Sequence, residues 1–160
     1  TIGGCIGANR SDSALIPVLL ALGAKLVNAD AQVLPLETWL TESREVLITE
    51  ILTPPLEGGC MAVKESRSFM ALPVVCAAMR LTTQGGKISR AAVYAGCVAP
   101  RIVRLKTVEK AILDGSNVEA AVKASINPTD DILGSAEYKR YINAVKIADT
   151  VKLCTLEVLQ

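Results

Sequence analysis

There is no histidine anywhere in this sequence. Its absence excludes a Ser-His-Asp triad, a histidine general base, a His-containing zinc site and a haem histidine ligand. Aromatic residues make up only 3% of the chain, and its net charge is +1 with no long basic run. Nucleic-acid binding therefore lacks both stacking platforms and a basic face. The longest apolar stretch, Ala14 to Ala24, is broken by Pro17 and Gly23 and is too short to cross a bilayer. Five cysteines are scattered without a Cys-x-x-Cys pair, so the clustered thiols of an iron-sulfur centre are missing and no metal site is expected. They read as free, largely buried thiols in a reducing compartment. No charged-then-apolar leader opens the sequence, and a cytoplasmic location is expected.

What the chain has is apolar content, 51% of 160 residues, enough for one ordinary core or a small domain with part of another. Ser11-Asp12-Ser13 offers N-caps for a helix ending at Gly23, near whose first turn Pro17 is tolerated. Short strands are expected around Ala24–Asn28 and Val33–Leu36, then a helical turn with Trp39 in the core, then a strand over Val46–Leu52. Pro54-Pro55 and Gly58-Gly59 mark a domain boundary, where few contacts should cross. Beyond it Cys60–Ser66, Val74–Leu81 and Ile88–Cys97 read as three strands, the last two joined at Gln84-Gly85-Gly86. By pattern alone Met70–Met79 also passes as a buried helix. Three helices follow, the second opened by a Ser116–Glu119 capping box. The third carries an apolar stripe through Tyr138, Tyr141, Ile142, Val145, Ala148 and Val151. Strands followed by helices make the class α+β.

The first line of the sequence, Thr1-Ile2-Gly3-Gly4-Cys5-Ile6 followed by Pro17-Val18-Leu19-Leu20-Ala21-Leu22, holds the densest signal. A Gly-Gly turn brings bare amides against a ligand, and a helix beginning after it favours an anion there. Such a pair, standing alone, is usually just a turn. Here three further segments follow in order: Lys64-Glu65-Ser66-Arg67, Gly96-Cys97-Val98-Ala99-Pro100-Arg101-Ile102-Val103-Arg104, and Asp131-Ile132-Leu133-Gly134-Ser135-Ala136-Glu137-Tyr138-Lys139-Arg140. Together they resemble the FAD-binding subunits of molybdenum hydroxylases, the xanthine dehydrogenase and carbon monoxide dehydrogenase group, over nearly the whole chain.

The resemblance implies a PCMH-type FAD-binding lobe, in part, over residues 1–57. Over residues 58–160 it implies a domain like the C-terminal one of the CO dehydrogenase flavoprotein, a three-stranded antiparallel sheet packed with a three-helix bundle. It implies an N-terminal lobe before Thr1, which would make the chain a fragment. It assigns FAD contacts to Thr1, Ile2, Gly3, Gly4, Cys5, Leu47, Ile48 and Lys64, the lysine approaching the flavin ring, and no residue as general acid or base. It also implies partners, a molybdenum-pterin subunit and an iron-sulfur subunit, with electrons passing from iron-sulfur clusters through FAD to NAD, as in xanthine dehydrogenase. The departures matter too. The family's asparagine is Cys5 here, a hydroxyl-bearing position is Ala8, an acidic position is Ala14 with Asp12 two residues away, and a family glycine is Cys97. The Cys5 and Ala14 departures favour a second reading, a degenerate docking and assembly module without catalysis, and the retained Gly3-Gly4 and Lys64 oppose it. Arg101, Arg104 and Lys106 read as a modest basic edge, a solvated face.

Overall fold

Two antiparallel sheets organise the chain, and the helix between them in space covers one face of the larger. The structure, a computed structural model, describes residues 1–42 and 46–159. Helix α1 (Ile2–Ala8) and helix α2 (Leu15–Leu22) lead into β1 (Lys25–Asn28), β2 (Val33–Pro35), α3 (Leu36–Thr41) and β3 (Ile48–Leu52). The second part runs β4 (Gly59–Glu65), β5 (Val75–Gln84), β6 (Lys87–Gly96), β7 (Val103–Arg104), α4 (Lys106–Asp114), α5 (Val118–Ser125) and α6 (Ala136–Val158). The small sheet has the order β2-β1-β3 and the large one β4-β5-β6-β7. The α+β class expected from the sequence holds. The large sheet, however, has four strands and not three, because the two residues of β7 pair with Tyr94 and Ala95 on the edge of β6.

β5 and β6 form a hairpin closed by Gln84 opposite Lys87, with φ of 61° at Gly85 and 73° at Gly86. Both central residues are left-handed, as a two-residue turn matched to strand twist requires. β5 is buried almost throughout because helices cover both of its faces. Ala77, Met79 and Leu81 join Val93, Val108, Ile112, Ala144, Ile147 and Val151 in one core beneath α4 and α6. Ala78 and Tyr94 face the other way, into a core with Ile16, Leu19 and Leu20 of α2. A strand covered on both sides reads as a continuous apolar run, which is why this segment also passes for a helix in sequence.

The Pro54–Gly58 stretch does separate the two sheets, but contacts cross it freely. α2 lies directly on β5 and β6, and Arg80 on β5 donates from Nη1 to the Leu22 carbonyl at 3.3 Å. On the far side of α2, Tyr94 donates to Glu37 Oε2 at 3.3 Å, and burial pushes its hydroxyl up to about 12. Arg104 stands over the Tyr94 ring at 5.7 Å and donates from Nε to Glu109 Oε1 at 2.8 Å. The same carboxylate oxygen accepts from the Val93 backbone N–H at 3.0 Å.

Two expectations about helices need correction. α5 is capped by Asn117, whose side chain accepts from the Ala120 N–H at 2.9 Å, and not by a Ser116–Glu119 box. Glu119 points along the helix instead, to Lys123 Nζ at 2.6 Å. Asn117→Ala should therefore cost about 1 kcal/mol in denaturant unfolding, whereas Ser116→Ala should stay within about 0.5 kcal/mol. On α6 the inward face is Lys139, Asn143, Ala144, Ile147, Val151 and Cys154, while Tyr138 and Tyr141 of the expected stripe are 46% and 56% exposed. Polar residues hold that face because each finds partners there. Lys139 Nζ donates to the Thr129 carbonyl at 2.8 Å and pairs with Asp131 at 2.6 Å. Asn143 Nδ2 donates to the carbonyls of Val74 at 3.0 Å and Lys139 at 2.9 Å. A hydrogen-bonded polar group is as acceptable inside as an apolar one, and apolar periodicity does not see it.

Candidate functional site

The Thr-Ile-Gly-Gly segment is a helix, not the tight turn its glycines suggest. Thr1 caps α1, its Oγ1 accepting from the Gly4 N–H at 3.0 Å. Asn9 ends it in the left-handed region, φ 44°, with its N–H on the Ile6 carbonyl. Asn9 Nδ2 then donates to the Leu40 carbonyl at 3.1 Å, fastening α1 to the end of α3. Ile6 is 1% exposed and plugs the core shared with Leu36 and Trp39. α2 starts only later, at Leu15, behind Ala14, which makes no side-chain cap bond; Ser13 Oγ accepts from the Ile16 N–H instead.

Three of the seven residues of α1 carry no side chain. Gly7 follows Gly3 and Gly4 by one helical turn, and the three glycines border, together with Ile6, a cavity of about 740 Å³. None of the three has a positive φ. A Cβ built on Gly3 or Gly7 would meet nothing within 4 Å, and one on Gly4 would meet only Thr1 Oγ1, at 3.0 Å. Each helical glycine costs about 1 kcal/mol relative to alanine. Neither backbone conformation nor packing within the chain requires glycine at positions 3 and 7. Such a face gives a ligand direct approach to the backbone.

Across the cavity lie Trp39 and Leu40 of α3, then Leu47 and Ile48 at the start of β3. Leu47 is 73% exposed, an apolar side chain held over the opening rather than into the core. Arg101, from the turn after β6, adds the wall's positive charge and donates from Nη1 to the Leu40 carbonyl at 3.4 Å. The arrangement has a smooth backbone surface, an apolar cover and a guanidinium, with Glu42 also on the wall; the guanidinium suits an anionic group and the bare backbone a flat one.

Of the residues expected from the sequence, Thr1, Gly3, Gly4, Leu47 and Ile48 line this cavity together. Ile2 and Cys5 are exposed and lie outside its wall. Lys64 sits on β4, also outside it; its Nζ donates to the Phe69 carbonyl at 3.0 Å and stands 5.8 Å from the Phe69 ring centre. Asp12, two residues from the acidic position filled by Ala14, is engaged elsewhere. Its carboxylate accepts from Arg10 Nε at 2.8 Å, which holds it below the usual carboxylate range. Sequence reasoning missed Gly7, Asn9 and Arg101. The spacing of Gly7, four residues after Gly3, was a usable signal once that segment is read as a helix. Arg101 stood out only as part of a basic edge, since it is the turn after β6 that brings it across 61 residues to Leu40.

Among the described residues no group of cysteine, aspartate or glutamate side chains is placed to hold a metal ion. Nor is any helix long and apolar enough to cross a membrane.

Residues 62–151 match the model of the CO dehydrogenase flavoprotein C-terminal domain. The uncharacterized protein YgfM of Escherichia coli, strain K12, is 42% identical over 154 residues, covering 96% of this chain and 58% of that protein. YgfM of strain O157:H7 matches to the same extent. The chain thus spans a little over half the length of these curated relatives. Among solved structures, the carbon monoxide dehydrogenase of Hydrogenophaga pseudoflava lacking the Mo-pyranopterin moiety superposes with a TM-score of 0.87 at 19% identity, covering 99% of this chain and 61% of that one. Quinoline 2-oxidoreductase from Pseudomonas putida 86 gives 0.86 at 14% identity, covering 100% and 62%. At these identities the structures establish a shared fold, and the domain match establishes kinship. FAD, the cofactor expected from the sequence, is the cofactor of that flavoprotein family. The chain belongs to the family of the CO dehydrogenase flavoprotein C-terminal domain, within the molybdenum-hydroxylase flavin subunits that its sequence resembles.

Proposed function

We propose that this chain is the C-terminal portion of the FAD-carrying electron-transfer subunit of a molybdenum hydroxylase, and that the glycine-faced cavity holds part of the FAD. The observation that carries this reading is the glycine content of α1. Gly3 and Gly7 weaken a seven-residue helix without any return inside the chain, and close approach of a flat cofactor accounts for them. The residues present fit FAD. Gly3, Gly4 and Gly7 expose backbone to it, Arg101 offers its pyrophosphate a paired donor, and Leu47 and Ile48 supply apolar cover. FAD, when bound, supplies the capacity to take up electrons and release them again. The protein's part is to hold it, orient it and exclude water; no side chain lining the cavity is required to move a proton.

Finer points rest on the sequence resemblance. In that reading the whole protein is similar to xanthine dehydrogenase and meets a molybdenum-pterin subunit and an iron-sulfur subunit. Electrons then leave through NAD. The domain division at residue 57/58 belongs to the same proposal. A second reading, a docking module that has lost its flavin, is favoured by one set of observations: Cys5, Ala8 and Ala14 provide none of the polar groups their family counterparts do.

Flavin absorbance decides between them. The full-length protein should purify yellow or take up added FAD, and Arg101→Ala should weaken its retention tenfold or more, since a hydrogen bond to a charged group is worth about 1.5–3 kcal/mol. A full-length protein that neither carries flavin nor binds it when supplied would establish the docking reading.

A further inference from the structure

A second cavity, about 430 Å³, lies beside the turn after β6, bordered by Asp12, Pro73, Cys97 and Lys139. Behind it two cysteines meet. Cys76, second in β5, pairs with Gly96, the residue before Cys97. The Cys76 and Cys97 sulfurs are 3.5 Å apart. Both thiols also converge on one backbone oxygen. Ser11 O accepts from Cys76 Sγ at 3.4 Å, from Cys97 Sγ at 3.8 Å and from the Cys97 N–H at 2.9 Å. Cys97 Sγ additionally reaches the Pro73 carbonyl at 3.3 Å. The approach is tight enough that a Cβ on Gly96 would collide with Ser11 O and with Cys76 Sγ.

The two sulfurs are unequal. Cys76 is 1% exposed, whereas Cys97 lines the cavity and is within reach of a small solute. Cys97 also holds φ at 62°, a left-handed conformation costly for a side-chain-bearing residue. A hydrogen bond from Cys76 pulls the Cys97 thiol down, and the same bond with burial pushes Cys76 up. Cys97 is therefore the attacking sulfur and Cys76 the one that resolves. The other thiols have no such partner bond among the described contacts, and burial pushes Cys60 up and Cys154 up to about 11.

We propose that Cys76 and Cys97 are a dithiol that peroxide converts to a disulfide, a modification site that couples redox state to the loop between α1 and α2. The Cys97 thiolate attacks one oxygen of hydrogen peroxide. The O–O bond breaks, the departing oxygen leaves as water with the thiol's proton, and Cys97 becomes a sulfenic acid. Cys76 sulfur then attacks that sulfur. The S–S bond forms, the S–O bond breaks, and a second water leaves with the Cys76 proton. The two sulfurs together give up two electrons, and peroxide takes both. The sulfurs must close from 3.5 Å to about 2.05 Å. With both thiol protons gone, Ser11 O keeps the Cys97 N–H and loses its thiol contact, so the loop following α1 is held less firmly in the oxidised form.

The test is peroxide treatment of the full-length protein, alkylation of the remaining thiols and a non-reducing digest read by mass spectrometry. The expected product is a peptide linking Cys76 to Cys97, with loss of two hydrogens, reversed by dithiothreitol. Amide hydrogen exchange over residues 9–14 should be several-fold faster in the oxidised form and should return on reduction. Cys97→Gly, which suits the left-handed backbone and so should fold, must abolish both the link and the change in exchange. In Cys76→Ser, Cys97 should stop at the sulfenic acid and be trapped by dimedone. Peroxide that leaves both thiols open to alkylation, or that links other cysteines in their place, would overturn the proposal; so would a Cys76–Cys97 link that leaves exchange over residues 9–14 unchanged.

Discussion

Replacing Gly7 with leucine in the full-length protein should lower FAD affinity by about a hundredfold while leaving thermal stability equal or higher. The two effects have opposite sign because they arise on different sides of the same backbone. Within the chain, leucine at position 7 meets no atom within 4 Å of its Cβ and relieves a helix of a poor former, a gain of about 0.8–1 kcal/mol. Toward the cavity, the new side chain occupies space that the cofactor needs. Overpacking of that kind costs about 1–3 kcal/mol, and tenfold in affinity corresponds to about 1.4 kcal/mol. Absorbance of retained flavin and a melting curve measure the two effects separately. Loss of stability together with flavin would make Gly7 a packing residue. Unchanged flavin content would show that the cofactor does not lie against α1, and the proposed function would lose its main support.

Residues 60–160 expressed alone should fail to melt as a cooperative unit and should bind a hydrophobic dye. The proline and glycine punctuation before Gly59 suggests a clean division, and the chain does pass there from one sheet to the other. Yet Ile16, Leu19 and Leu20 of α2 cover Ala78 and Tyr94 on the large sheet. Each large apolar side chain buried contributes about 1.5–3 kcal/mol, so these three account for roughly 5–9 kcal/mol. That is comparable with the whole stability of an ordinary domain, about 5–15 kcal/mol. A sharp, cooperative melt without dye binding would show that the helical side of the sheet sustains the fold alone. Restoring α2 by beginning the chain at Ser11 tests whether the missing cover, and not a broken strand, is responsible.

The sequence reveals the strands of the large sheet well because their limits are written in local chemistry. Gly85-Gly86 sets the hairpin between β5 and β6, and Gly58-Gly59 the start of β4. It does not reveal β7, whose two residues hold strand form only because the edge of β6 is beside them. The inward face of α6 was hidden for a different reason. Lys139 and Asn143 are buried through hydrogen bonds to Thr129, Val74 and the helix itself, partners distant in sequence or on the backbone. At the cavity the sequence yields residue types without shape. Gly3 and Gly4 stood out, but as a turn. The Thr1 cap and the Asn9 tether to Leu40 make that segment a helix, and only then does Gly7 join the same face. Arg101 and Trp39 meet there by tertiary packing, which no local pattern encodes.

The shortness of β7 has a further consequence, for self-association. It covers β6 only at Tyr94 and Ala95, and the Glu109 carboxylate occupies the N–H of Val93 next to them. Along the rest of that strand, from Lys87 to Ala92, no described strand pairs with the outer edge. An open row of backbone donors and acceptors is a template on which a second molecule can add a strand. On β6 the open stretch carries Lys87 and Arg90, both exposed. A second copy aligning along it would bring like charges together without solvent between them. The two cations thus guard the molecule against stacking edge to edge.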